Sequence, residues 1–488
     1  VGLDPGLRRL ALGTLLAAYP GPVPPDWAVD LLADGLAGHT LFGTNVHDPA
    51  QVAASTAALR AGRPDALIAI DEEGGDVTRL AHATGSPYPG NAALGAIGDV
   101  ALTRRVYQSI GAELAALGIT VNLAPTVDVN TADDNPVIGT RSFGADPVRV
   151  AAHSAAAVTG LQAAGVAACA KHFPGHGATV TDSHHELPTV DAPLGLLRQR
   201  DLPPFAAVVA AGARAVMTAH IRVPSLTGAD PATFSRAVLV DLLRTEYGFT
   251  GTVITDALEM KGAAVAAGGV GPAAVRALSA GADLLCIGAR VDASLVERVA
   301  AEIVDALTDG RLVTARVEEA AGRAADLAAW TRAASGSTAT EDTELGYAAA
   351  RRAVRVDGLL TGLGQPLVVQ LHTESTIAEG RVPWGLGPHL DGVPEIRVIA
   401  TETDPATLRG LAGDRHIVLV GRHLHRLPGG PELIADLAAQ HPVTVVEMGW
   451  PAQWRPADVR AFVTTYGASH ANGRAAAEAL GLVRTLRH

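Results

Sequence analysis

The feature that most constrains this chain is an alternation. Short apolar runs with β-branched content are separated by longer Ala/Leu-rich stretches of helical period. The runs are "TLFGTN" (40–45), "ALIAIDEEGG" (from 66), "ITVNLAPTVDV" (from 119), "GVAACAKHF" (from 165), "ARAVMTAH" (from 213), "GTVITDALEM" (from 251) and "ADLLCIGA" (from 282). Between them lie segments such as "TRRVYQSIGAELAALG" and "PVRVAAHSAAAVTGLQAAG", the second ending in a glycine suited to a helix C-cap. Parallel strands need crossovers of this kind, so the pattern predicts repeated β/α units. Seven strands at about 30 to 45 residues per repeat predict a TIM-type (β/α) barrel, although no eighth strand stands out. An open doubly wound sheet competes, but the Gly-rich fingerprint after its first strand is missing.

At 488 residues the chain is longer than one hydrophobic core usually supports. After "VTARVEEAAGRAADLAAW" comes "TRAASGSTATEDTELG", whose Ser, Thr and Gly content reads as a linker. The expected division is a catalytic barrel over 1–333, a linker over 334–345 and a C-terminal domain over 346–488. In the last part "QPLVVQLH", "EIRVIAT", "RHIVLVG", "HPVTVVEMG" and "RAFVTTYG" read as buried strands of a smaller α/β sandwich domain.

A net charge of −12 and the absence of any Lys/Arg-rich run argue against a polyanion, so no nucleic-acid partner is expected. No stretch approaches the ~20 apolar residues that span a bilayer, so no membrane partner is expected and the protein should be soluble. The start, "VGLDPGLRRLALGTLLAAYPG", lacks the layout of an export signal. A cytoplasmic location is therefore expected, and the missing initiator Met is compatible with a removed leader. Cys169 and Cys286 each lie in an apolar run and should be buried free thiols. Nothing in the sequence sets the oligomeric state.

Polar residues gather at the C-terminal ends of the expected strands, the rim where barrel enzymes keep their active sites. Asp71, Glu72 and Glu73 end one strand, Asp128 the next, and Lys171 with His172 the one after; His220 and Asp256 end two more. Asp256 suits a nucleophile, a general base, a metal ligand or the N-cap of the following helix, with cap and catalyst equally weighted. In "KHFPGHGATVTDSHHELP" (171–188), Asp182 and His184 are two residues apart, so the carboxylate can hold one ring nitrogen while the other faces a substrate. His176 and His185 read as structural. A metal site built from His172, His176, Asp182 and His184 is the rival, but the spacing matches no familiar zinc pattern and Pro174 spoils a helical His pair. A phosphate loop is weaker, for no "GxxxxGK[ST]" occurs.

Together these motifs are more specific than their parts. "KHFPGHGATVTDSH" resembles the signature of the β-N-acetylglucosaminidase branch of glycoside hydrolase family 3. The blocks "LFGTNVHDPAQV", "IAIDEEGGDVTRL", "ELAALGITVNLAPTVDVN", "NPVIGTRSFG", "VMTAHIRVP" and "VITDALEM" follow the family order, over most of residues 36 to 290. The resemblance implies a retaining mechanism with Asp256 as nucleophile and His184 as acid/base partnered by Asp182, in place of the usual two carboxylates. It implies that Asp71, Arg79, Arg141, Lys171 and His172 hold the sugar hydroxyls, and it calls for neither metal nor cofactor. A ring with an ordinary pKa of about 6.5 is suited to proton transfer near neutrality.

The expected partner is a saccharide containing N-acetylglucosamine. The expected reaction is removal of terminal β-linked N-acetylglucosamine from cell-wall muropeptides or chitin-type oligosaccharides. Phosphorolysis is the alternative, because a neutral imidazole does not repel phosphate; a β-glucosidase, a metal-dependent hydrolase and a non-catalytic sugar-binding barrel rank lower. One departure from the family stands out: Asp76 follows Gly74 and Gly75 where Arg is common, which should reverse a charge near the site entrance. In β-glucosidase-like relatives the second domain supplies a Glu acid/base; here Glu447 should be structural.

Overall fold

A computed structural model describes residues 4–184, 186–288 and 291–483. By contact density the chain forms two compact units. The first comprises residues 1–73, 103–138 and 145–341, and the second residues 74–102, 139–144 and 342–488.

The first unit is the expected barrel. Its strands are β1 (Leu15–Ala17), β2 (Gly38–Leu41), β3 (Leu67–Ile70), β4 (Val121–Asn122), β5 (Ala167–Phe173), β6 (Ala215–Thr218), β7 (Thr252–Thr255) and β8 (Leu285–Ile287). They are hydrogen-bonded in the order β7-β6-β5-β4-β3-β2-β1-β8, and a parallel bridge from Ile254 to Leu284 brings the ends of the sheet together. The strand that escaped the sequence reading is β1, three residues that follow the helix Pro5–Leu12 almost directly.

Small and medium apolar side chains fill the barrel: Leu16, Leu67, Val121, Ala167, Cys169, Ala215, Ile254 and Cys286 lie in one buried cluster. Both cysteines are free and buried. Ala324, Leu327 and Ala328 of the helix Thr314–Ala334 join the same cluster. That helix lies at the N-terminal ends of the strands, since the Thr252 hydroxyl donates to the Arg323 carbonyl at 3.0 Å and Arg214 stacks over Trp330 at 4.8 Å. Buried Asp283 binds this region together, accepting from Arg316 at 2.5 Å, Arg323 at 3.1 Å and also Arg244. The C-terminal rim is thereby the end left for chemistry.

The second unit is built on a six-stranded sheet. Its strands are β9 (Arg355–Gly358), β10 (Leu367–Leu371), β11 (Glu395–Val398), β12 (Ile417–Gly421), β13 (Val443–Glu447) and β14 (Ala461–Thr464). The order is β11-β10-β12-β13-β14-β9, all parallel except β9. Alternate residues of β10, β12, β13 and β14 feed two cores, in β10 Leu367, Val369 and Leu371 on one face and Val368 on the other, as a period of two requires. The five parallel strands were legible; β9, exposed along its whole length, was not.

Among the described residues no single helix is long and apolar enough to cross a membrane. The helices Lys261–Ala267 and Val270–Ala280 meet that test only together, bent by 93°.

Candidate active site

The rim site of the first unit starts from β3 and β5. Asp71 follows β3, and the ammonium of Lys171, on β5, lies 2.6 Å from Asp71 Oδ1 and 2.8 Å from Glu73 Oε1. A lysine buried to this extent needs paired carboxylates to remain charged. Two carboxylates hold Nζ at one place, with Asp71 the more exposed of the pair.

Asp128, just past β4, organises the next residues. Its Oδ2 lies 2.8 Å from His172 Nδ1, and its Oδ1 accepts the His176 backbone N–H at 2.6 Å. The His172 N–H approaches both oxygens at 3.3 Å. Burial alone would raise this carboxyl, but His172, His176 and the N–H donors bring it below the ordinary Asp value. The turn that follows packs so closely on the segment beyond β4 that a Cβ on Gly177 would sit 2.0 Å from the Val129 carbonyl oxygen. Glycine is required there by space.

The second Asp–His pair lies further along the same segment. Asp182 Oδ1 is 2.6 Å from His184 Nδ1 and also accepts the His184 N–H at 2.9 Å. With Nδ1–H committed to the carboxylate, Nε2 is the nitrogen left for proton transfer. Unlike the first pair this one is partly open, with side chains 23% and 13% exposed against 7% and 0% for His172 and Asp128.

Asp256 follows β7. The helix after it begins at Lys261, with Met260 at the cap position, so Asp256 is not an N-cap. Its Oδ1 accepts the N–H of Ala257 at 2.8 Å. Burial pushes its carboxyl up; the charges of His220, His172 and His184 outweigh that and leave it below the ordinary value. Burial holds His220 itself toward its neutral form. His220 Nε2–H donates to the Ala257 carbonyl at 3.0 Å, and its Nδ1 accepts from Thr233 Oγ at 2.7 Å, which fixes the peptide beside Asp256. A histidine at the end of a strand was visible in the sequence, but its grip on Ala257 was not. Glu259, three residues past Asp256, accepts the Gly288 N–H at 2.9 Å; burial raises its carboxyl.

Asp71, Lys171, His172, Asp182, His184 and Asp256 thus all belong to the rim of the first unit. Among the described residues no group of three or more His, Cys, Asp or Glu is arranged to hold a metal ion. Instead both Nδ1 atoms of His172 and His184 face carboxylates. His185 lies outside the described residues.

Arg79 and Arg141 belong to the second unit. The guanidinium of Arg79 donates to the Ala378 carbonyl at 2.9 Å, and the Arg141 carbonyl accepts from Asn91 Nδ2 at 2.6 Å. Asp76, the residue that departs from the family pattern, is engaged within the second unit. Its carboxylate accepts from Thr140 Oγ at 2.6 Å and from the Ala468 N–H at 2.7 Å, tying the turn at 139–141 to the loop before the last helix. Glu447 accepts three backbone N–H groups, from His423 and Leu424 at 2.8 Å and from Gly449 at 2.6 Å. Burial pushes its carboxyl up to about 7.

Residues 25–327 match the family described as the glycosyl hydrolase family 3 N terminal domain. The chain belongs to that family, and its relatives place it in the β-N-acetylhexosaminidase branch. The β-hexosaminidase A of Pseudoalteromonas piscicida is 36% identical over 356 residues, 68% of this chain and 59% of that protein. The β-hexosaminidase of Chromobacterium violaceum is 40% identical over 257 residues, 51% of this chain and 71% of that protein. Among solved structures, a family 3 β-N-acetylglucosaminidase from Paenibacillus sp. str. FPU-7 superposes with a TM-score of 0.87 at 34% identity, covering 98% of this chain and 97% of that one.

Proposed function

We propose that the protein is a retaining β-N-acetylglucosaminidase that removes terminal β-linked N-acetylglucosamine from cell-wall muropeptides or chitin-type oligosaccharides. The observation that carries this reading is the His184–Asp182 pair on the same rim as an anionic Asp256. In the first step the Asp256 carboxylate attacks the anomeric carbon while His184 Nε2–H protonates the departing glycosidic oxygen, giving an ester to the sugar. In the second, His184 Nε2 takes a proton from water as its oxygen attacks the same carbon and Asp256 leaves. Asp182 holds the ring in the Nδ1–H tautomer and stabilises the imidazolium formed in the second step.

Asp71, Lys171 and His172 are suited to the sugar hydroxyls, because hydrogen bonds to charged groups are the stronger ones. The names of the relatives support N-acetylhexosamine as the sugar.

His184→Ala should lower turnover of an unactivated N-acetylglucosaminide by roughly 10²–10⁴-fold, and azide should restore part of the turnover of an activated aryl substrate. Full activity without rescue would remove His184 from the acid/base role. A fluorinated N-acetylglucosamine analogue should label Asp256; label elsewhere overturns that assignment. Sugar 1-phosphate as the main product in phosphate buffer would replace hydrolysis by phosphorolysis.

A further inference from the structure

His176 has no role in the chemistry above, yet it is buried and engaged on every side. Its backbone N–H is held by Asp128 at 2.6 Å, and its carbonyl accepts from Asn135 Nδ2 at 3.0 Å. Its ring bridges two hydroxyls, with Nδ1 2.7 Å from Thr179 Oγ and Nε2 3.3 Å from Ser183 Oγ. The Thr179 hydroxyl donates to the His176 carbonyl at 3.0 Å. A neutral ring satisfies this pattern in one way: Nδ1–H donates to Thr179, and the Ser183 O–H donates to Nε2.

Ser183 is the residue between Asp182 and His184. It is buried, and its carbonyl accepts the Gly262 N–H at 3.2 Å. Gly262 lies in the first turn of the helix that follows Asp256. There is little slack at this point, since a Cβ on Gly262 would lie 3.1 Å from His220 Cβ and 3.3 Å from the Ser183 carbonyl oxygen. One residue of the His184 loop is thus gripped by its side chain from the strand β5 turn and by its carbonyl from the Asp256 side.

We propose that His176 is a positioning residue that docks the acid/base loop through Ser183 and so fixes where His184 Nε2 meets the leaving group. The proposal rests on His184 being the acid/base. A residue that positions only the acid affects bond cleavage in proportion to how much the leaving group needs a proton. A residue that merely supports the fold lowers all substrates alike.

The test compares kcat/KM for 2,4-dinitrophenyl N-acetylglucosaminide, which leaves without help, with that for an N-acetylglucosamine disaccharide, which does not. His176→Ala should reduce the disaccharide value by about 100-fold and the ratio of disaccharide to dinitrophenyl activity by about 10-fold, within the range of acid/base effects. Azide should restore part of its turnover of the activated substrate. Ser183→Ala deletes only the hydroxyl at the far end of the dock, leaving its carbonyl bond to Gly262. It should shift the ratio the same way by a few-fold, the size expected for one hydrogen bond. Equal losses on both substrates in Ser183→Ala, or no loss, overturn the proposal even if His176→Ala fails to fold. His184→Ala is the reference: if it is selective for the disaccharide and His176→Ala is not, the dock alone fails. If His184→Ala is itself unselective and azide has no effect, the acid/base reading fails and the dock falls with it.

Discussion

Asp128–His172 and Asp182–His184 are the same pair of side chains at similar distances, 2.8 and 2.6 Å, in different settings. The first sits beyond β4 and at the end of β5, almost fully buried, and its carboxylate also holds the backbone N–H groups of His172 and His176. The second sits on a loop and is partly open. Burial makes a pair rigid and its protonation costly to change; access to water lets a ring gain and lose a proton. The difference teaches that an Asp–His contact by itself does not mark an acid/base. Exposure separates a ring suited to holding a substrate from one suited to passing protons.

The comparison is broken most readily at Asp128. Asp128→Asn should cost roughly 10²-fold in kcat/KM, the size expected for losing a buried hydrogen bond to a charged group, with no recovery in azide. In either orientation the amide sets an N–H against a donor, His172 Nδ1–H or the His176 N–H, in a place where water cannot substitute. Asp182→Asn should cost less, about 10-fold, because solvent can serve the open pair; a larger loss there than at Asp128 would reverse the reading of the two pairs.

Acid pH sharpens it further. Asp128 and Asp256 both sit below the ordinary Asp value of about 3.9. A carboxyl depressed in the folded state contributes stability that is complete above the unfolded value and is lost as pH falls through the folded one. Activity dependent on Asp256 should therefore persist at pH 4, and an acid limb of kcat/KM above that value traced to Asp256 would contradict its imidazole surroundings. The smallest effect is expected at Glu113, a barrel carboxyl in the opposite environment. Burial, with Glu72 and Glu341 repelling it, pushes Glu113 up to about 8. A raised folded value favours the protonated form, so this contribution is complete below the unfolded pKa and is lost as pH rises through 8. Glu113→Gln should raise Tm slightly at pH 9 and leave it unchanged at pH 4.

Much of this was legible in one dimension because parallel strands are buried on both faces and read as apolar runs. β5 and β7 each deliver their chemistry at the C-terminal end, so Lys171, His172 and Asp256 could be located by counting from the run. β1 could not, because three residues following a helix carry no period of their own, and β9 could not, because "RVDG" is exposed and polar. The work of His176 was hidden for another reason. Its ring partners Thr179 and Ser183 are near in sequence, but Asp128 and Asn135, which hold its backbone, and Gly262, which holds Ser183, come from other elements, and only folding brings them to one place. The partners of Asp76 were hidden in the same way, since Thr140 and Ala468 lie far from it in sequence.

The membership of residues 74–102 in the second unit has a consequence for synthesis. The chain emerges from its N-terminus, so this segment leaves the ribosome early, while residues 342 onward that share its core come last. Asp76 must wait for the Ala468 N–H, and Gly346 for the Pro87–Tyr88 backbone and ring against which it packs. The barrel strands can pair as they appear, each with a neighbour already made. The second unit has to be closed around a piece of chain held in reserve, which makes its completion a late, long-range event.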